Sequence, residues 1–265
     1  MKDMFLVCGG LLFIFVMTSL GAATVVFFKK PSNNSGILQR VFLGFAAGVM
    51  IAASVWSLII PAIEEAEAAG QVGWIPAAGG VVLGIAFLFL LDHLIPHIHP
   101  SLKQAEGPSS SLKRSTLLFL SVTLHNIPEG LAVGLSFALA IQNPGEPAFM
   151  ASAIALAIGI GIQNFPEGAA ITLPLHQEGL SRGKAFGLGL VSGVMEPIFG
   201  VIAILAAAFI MPAMPWLLCF AAGAMLYVVV EELIPEAHLG EHSHPGTLSV
   251  LTGFVIMMIL DVALG

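Results

Sequence analysis

Two segments carry most of the chemistry in this sequence: His125-Asn126-Ile127-Pro128-Glu129-Gly130 and Gln163-Asn164-Phe165-Pro166-Glu167-Gly168. They share the pattern Asn-x-Pro-Glu-Gly. Residues four apart lie on one face of a helix, so His125 stacks with Glu129 and Gln163 with Glu167. Each proline lies inside an apolar stretch and has no N–H to donate. Pro128 therefore leaves the carbonyl of Leu124 unpaired, and Pro166 that of Ile162. The glycine after each glutamate lets a neighbouring helix come close. A third carboxylate, Glu196, stands in Gly193-Val194-Met195-Glu196-Pro197, again beside a proline.

An acidic residue at the centre of a membrane helix costs roughly 2.5–3.5 kcal/mol on insertion scales. Three of them must face one another, take up protons or hold a cation. A divalent cation neutralises two at once, and with His125 the ligand set of nitrogen and oxygen suits zinc and its first-row neighbours. Plainer roles exist for each residue alone. A membrane His or Asn can serve as an interhelical hydrogen bond of about 0.6–2 kcal/mol, and a Glu on a kinked helix can relay protons. The repeated motif together with Glu196 favours a metal site.

The elements that position these residues follow from composition. Of 265 residues, 57% are hydrophobic and 9% charged, with a mean hydropathy of +0.98. A soluble domain averages roughly 25% charged residues, so lipid must be the solvent here. Crossing the hydrocarbon core takes about 20 apolar residues in a helix. Eight stretches qualify, near 5–28, 37–63, 72–95, 115–141, 149–174, 184–209, 214–235 and 246–264. No alternating pattern suggests a membrane barrel. The first run is longer than the core of a signal peptide, roughly 7–15 residues, and continues past Gly21-Ala22-Ala23, so a retained span is expected.

The expected fold is an all-α integral membrane protein with one transmembrane domain. Residues 1–96 would supply three helices, 97–114 a cytoplasmic linker and 115–265 five helices. The linker reading rests on Pro100, Gly107-Pro108 and Ser109 to Ser111. Spans four and five cross in opposite directions, so their shared motif forms an inverted repeat, a common way to build a transport site near the midplane. Lys29, Lys30, Arg40, Lys103, Lys113, Arg114, Arg182 and Lys184 all fall in loops of one face, and only Lys2 on the other. The positive face is assigned to the cytoplasm, which leaves both termini outside. Glu64, Glu65, Glu67 and Glu146 fall in the outer loops.

Other classes are disfavoured. The apolar content excludes disorder, and nine Lys and Arg without a cluster argue against nucleic acid. Cys8 and Cys219 are isolated and make neither a disulfide framework nor a CxxC site.

At the two motifs and across nearly the whole chain, the sequence resembles the ZIP (Zrt/Irt-like) family of divalent-metal transporters, in particular its bacterial GufA-like branch. The resemblance implies two adjacent metal positions. One would use Met50, His125, Glu129, Gln163 and Glu167. The other would use Asn126, Glu129, Asn164, Glu167 and Glu196, with Glu129 and Glu167 bridging. Many members have His where this chain has Gln163, although the GufA-like branch is similar in having Gln. Asn164 stands where some relatives have Asp, which removes a negative charge from the second position. The resemblance also implies the plasma (inner) membrane as location and zinc as the transported ion, with Cd²⁺, Fe²⁺, Mn²⁺, Co²⁺ and Ni²⁺ as further candidates.

Carboxylates and histidines near the membrane faces suggest a pathway. Glu64 and Asp261 would lie on the outer side. Asp92, His93, His97, His99, Glu231, Glu232 and His238 would lie on the inner side. Glu65, Glu67, His242 and His244 read as solvated helix ends. The core Leu-Ile-Pro of spans three and seven, with Ile59-Ile60-Pro61 in span two, suggests a second, degenerate repeat. The expected mechanism is alternating access, with spans one, four, five and six holding the metal while the rest rocks against them. No GxxxxGK[ST] segment is present, so transport would not be driven by ATP. Divalent ions and the bilayer are the expected partners, with a homodimer as an option; no cofactor is expected. An intramembrane metalloenzyme is the first alternative, but HExxH is absent and no enzyme activity is expected. A proton-coupled carrier of a non-metal solute is the second.

Overall fold

The computed structural model describes residues 2–27, 35–96, 108, 114–209, 211–237 and 244–264. These residues form eight helical rods. They are α1 (Lys2–Phe27), α2 (Ser35–Ala53, continuing to Ala68), α3 (Trp74–Leu94), α4 (Arg114–Gln142), α5 (Pro147–Gln177), α6 (Arg182–Phe209), α7 (Met214–Val228, continuing to Ala237) and α8 (His244–Leu264). All eight are long and apolar enough to cross a membrane, and the chain is a multi-pass membrane protein. Phe5, Leu12, Val82, Phe89, Leu205, Phe209, Leu251 and Val262 are exposed along α1, α3, α6 and α8, as lipid-facing side chains must be.

Several boundaries run past the expected ones, most clearly at α2. Glu64, Glu65 and Glu67 are not in a loop, because the helix carries on through Ile60–Ala68. Pro61 does not stop it. The chain widens ahead of the proline into a π-helical turn, Ser54–Ile59, in which the Ile60 N–H donates to the carbonyl of Val55. The same solution recurs in α7. There Val229–Leu233 is π-helical, the Ile234 N–H donates to Val229, and Pro235 follows. A proline has no N–H and crowds the carbonyl four residues back. One extra residue in the turn relieves that conflict, and such bulges are frequent at functional sites. Pro174 likewise does not end α5, which runs on to Gln177.

The helices pack as pairs, α1 on α5, α2 on α8, α3 on α7 and α4 on α6; the first three pairs join a helix before residue 97 to one after residue 113. Helices α1–α3 are therefore interleaved with α4–α8. Further contacts of α1 with α6 and α4 with α5 make one group of α1, α4, α5 and α6. The other group, α2, α3, α7 and α8, meets it mainly where α2 lies on α5 and α4 on α7. Small core residues, among them Ala46, Ala47, Ala53, Ala221, Ala222 and Ala224, bring the backbones together. The α4 span is both the least apolar and the most enclosed of the eight, with 78% of its apolar stretch within Thr123–Gln142 buried against 22% for that of α8. Polar side chains on α4 are thus shielded from lipid by protein.

Candidate metal site

The site forms where the two Asn-x-Pro-Glu-Gly segments face each other inside the bundle. The glycines set the distances. A Cβ on Gly130 would run into the backbone of Glu196 on α6, and one on Gly168 into the backbone of Thr18 on α1. Each motif therefore presses a partner helix against itself directly beside its glutamate. Pro128, Pro166 and Pro197 all lie inside their helices at this depth. Each withholds a donor from the carbonyl four residues earlier.

A hydrogen-bond network joins the carboxylates through amides. Gln163 Nε2 donates to Glu129 Oε1 at 2.6 Å. Asn164 Nδ2 donates to Glu196 Oε2 at 2.6 Å. Asn126 Nδ2 reaches the Ser192 carbonyl at 3.0 Å, the Ser192 hydroxyl at 3.2 Å and Glu196 Oε1 at 3.3 Å. Thr18 Oγ1 donates to Glu196 Oε1 at 2.8 Å. Asn126, Glu129, Gln163, Asn164 and Glu196 are all buried, and Glu167 is half-buried. Glu129 lies within electrostatic reach of both Glu167 and Glu196, and Glu167 of His125 and Glu232. The described cationic side chains Arg40, Arg182 and Lys184 sit near helix ends, Arg182 donating to the carbonyl of Val26.

Three oxygens in this cluster have no hydrogen-bond partner: Asn126 Oδ1, Glu129 Oε2 and Gln163 Oε1. Each belongs to a side chain whose other polar atom is anchored. A buried acceptor without a donor costs about 1–3 kcal/mol, and three in one place ask for an electron-poor ligand. Their chemistry fits a hard or borderline cation. Among the described residues, no three His, Cys, Asp or Glu side chains converge closely enough to hold an ion by themselves. The amides of Gln163 and Asn164 stand between the carboxylates.

The remaining expected residues divide into those near the cluster and those away from it. His125 points its Nε2 at Glu232 Oε1 on the π-helical turn of α7, a contact between the two helix groups. Met50 is buried in the apolar core of α2. Asp92 accepts from the Tyr227 hydroxyl at 3.2 Å. Asp261 is buried on α8 and accepts from the Ser57 hydroxyl, on the π-helical turn of α2, at 2.5 Å. Glu64 and Glu231 are exposed. His93 is exposed too, its Nδ1 bonded to the Phe89 carbonyl and its ring against Phe89. His97, His99 and His238 lie outside the described residues.

Two contributors have no counterpart in the expected set, Thr18 and Ser192. Ser192 could have been found, since it precedes Glu196 by four residues and shares its helical face. Thr18 gives no such signal, because its partner is on a distant helix.

Comparison with known proteins identifies the family. The family profile described as "ZIP Zinc transporter" matches residues 5–116 and 103–261. The chain is 39% identical to "Zinc transporter GufA" of Myxococcus xanthus, covering 94% of both chains. It is 38% identical to human "Zinc transporter ZIP11", covering 97% of this chain and 96% of the relative. It is also 38% identical to "Zinc transporter ZIPB" of Bordetella bronchiseptica, covering 95% of this chain and 79% of the relative. These relatives are named as transporters and not as enzymes. A membrane chain with paired Asn-x-Pro-Glu-Gly motifs, matched over nearly its full length by profile and relatives alike, belongs to the ZIP zinc transporter family.

Proposed function

We propose that this protein carries zinc, and related divalent ions, from outside into the cytoplasm through the cluster on α4, α5 and α6. The observation that carries this reading is the set of three partnerless oxygens, Asn126 Oδ1, Glu129 Oε2 and Gln163 Oε1. They are gathered between three buried or half-buried carboxylates with no described Lys or Arg beside them. Family membership and the relatives named zinc transporters support zinc as the ion. His125, Asn126, Glu129, Gln163, Asn164, Glu167 and Glu196 are the proposed ligands, with Met50 as a soft ligand from α2. Whether one ion or two bind, Glu129 and Glu167 are the shared residues.

Transport proceeds by alternating access. The group α1, α4, α5 and α6 carries the ion and moves against α2, α3, α7 and α8. The contact of His125 with Glu232 links the two groups on the side where α4 begins and α7 ends. In this reading that side is cytoplasmic, and Glu232 receives the ion as His125 lets it go. Asp261, Ser57 and Glu64 lie toward the opposite, outer side, with both termini outside. The expected linker, 97–114, falls almost wholly outside the described residues and is read as cytoplasmic, and the protein sits in the plasma membrane. An inside-negative potential adds about 2.3 kcal/mol per charge per 100 mV to inward movement of the cation.

Uptake of radiolabelled Zn²⁺ into proteoliposomes tests the reading. Saturable uptake by the native chain should be lost in the double variant His125→Ala, Glu129→Ala. Equal uptake by native and double variant, with both correctly inserted, would refute the site. No uptake of any divalent ion by the inserted native chain would refute the function.

A further inference from the structure

We infer that Thr18 on α1 is a positioning residue of the metal site, holding Glu196 in the rotamer that serves the second metal position. The inference rests on the reading of Glu196 as a ligand. Thr18 is wholly buried, and its hydroxyl has two acceptors in reach, the Ile14 carbonyl at 3.1 Å and Glu196 Oε1 at 2.8 Å. A hydroxyl has one proton to give. The carboxyl oxygen is the closer acceptor, so the stronger bond goes to Glu196. The carbonyl of Ile14 belongs to the ordinary helical ladder and does not depend on Thr18.

The approach of α1 is built around this contact. A Cβ on Gly168 of α5 would strike the Thr18 carbonyl. A Cβ on Gly193 of α6 would press on the Thr18 side chain, 3.0 Å from Cγ2. Two glycines on two helices thus let Thr18 in at the level of Glu196. Among the described residues the other donors to Glu196 are Asn126 and Asn164, themselves proposed ligands. Their amides must rearrange whenever an ion enters or leaves. Thr18 is the donor to Glu196 that belongs to no proposed ligand. It keeps one carboxylate oxygen fixed while the asparagines turn, and leaves Oε2 for the ion. Among the described residues no other hydroxyl bonds to Glu196: the Ser192 hydroxyl accepts from Asn126 instead.

The test is zinc uptake against zinc concentration in proteoliposomes for Thr18→Val, Thr18→Ser, Glu196→Gln and the native chain. Valine keeps the shape of threonine and removes the hydroxyl. Thr18→Val should raise KM roughly tenfold, as loss of a hydrogen bond to a charged group does, and leave the maximal rate per inserted protein within about twofold. Thr18→Ser should return KM to near the native value. Glu196→Gln should impair uptake more severely than either. If valine prevents insertion, Thr18→Ala removes the hydroxyl without bulk and takes its place. An unchanged KM in Thr18→Val, with uptake impaired in Glu196→Gln, overturns the inference and leaves the site reading intact. Equal defects in Thr18→Val and Thr18→Ser reduce Thr18 to packing and also overturn it. Normal uptake by Glu196→Gln removes Glu196 from the site, and the inference falls with it.

Discussion

The two Asn-x-Pro-Glu-Gly segments share a pattern but not a setting. On α4, Glu129 is fully buried, bonded to Gln163 through one oxygen and partnerless at the other. On α5, Glu167 is half-buried and faces His125 and Glu232. The residues four positions earlier diverge as well. Gln163 turns inward to the other motif's glutamate, whereas His125 turns away, to α7. The backbone solution is common to both: a proline in the helix and a glycine against a partner helix. The side-chain roles are not. Each half of the site draws on both motifs: Glu129 with Gln163 makes the enclosed half, and Glu167 with His125 the opening toward α7. Repetition thus fixes where glutamates stand, and the neighbours decide what each one does.

The largest effects should come from the shared glutamates. Glu129→Ala and Glu167→Ala should each lower zinc uptake at least about a hundredfold, beyond the 10–100-fold typical for outer-shell partners of a metal site. The folded protein should remain in the membrane. Retained uptake in either variant would show that the two motifs are not both ligands. A difference in severity between them would sharpen the division into enclosed and open halves.

The glycines come next, and they test assembly. Gly130→Val and Gly168→Val each place atoms on the backbone of a packed helix, Glu196 in one case and Thr18 in the other. Overpacking a tight core costs about 1–3 kcal/mol even where side chains can yield. Here the obstacle is backbone, so thermal unfolding in detergent should show a loss at or above the top of that range. Gly145, where a Cβ would meet open space, is the control and should tolerate alanine. A native-like midpoint in both valine variants would mean that the helices are not held as close as the structure has them.

Much of this arrangement was legible in the sequence. Eight apolar runs became eight helices because lipid leaves the backbone no other way to satisfy its polar groups. The His125/Glu129 and Gln163/Glu167 faces followed from helical spacing alone. What the sequence hid depends on contacts between distant helices. Glu232 could be placed only near a membrane face, and nothing local brings it to His125. Thr18 reads as one more tolerated hydroxyl in an apolar run. The π-helical turns were hidden for a different reason. Proline ordinarily ends or kinks a helix, and Pro61 and Pro235 are instead accommodated by one extra residue in the preceding turn. The linker reading of 97–114 suggested a three-plus-five division of the chain. Three of the four main helix pairs join the two parts, because apolar faces pack by shape and not by order in the chain.

The smallest expected effect bears most directly on the opening half. Glu232→Gln keeps the shape of the side chain and a polar partner for His125, but removes the negative charge that would receive the ion. Uptake should fall about tenfold, as befits one charge-assisted contact worth 1.4 kcal/mol. The fall should appear in the maximal rate, with KM changed little, because the ion would still load at Glu129 and leave slowly. Gln163→His gives the converse case. It adds a nitrogen ligand on the enclosed side and should lower KM by up to about tenfold while slowing release. If Glu232→Gln instead raises KM and spares the maximal rate, Glu232 is part of the loading site itself. The half built on Glu167 and His125 would then be as closed as that built on Glu129 and Gln163, and the contrast between the two halves would reduce to the identity of one residue, His125 against Gln163.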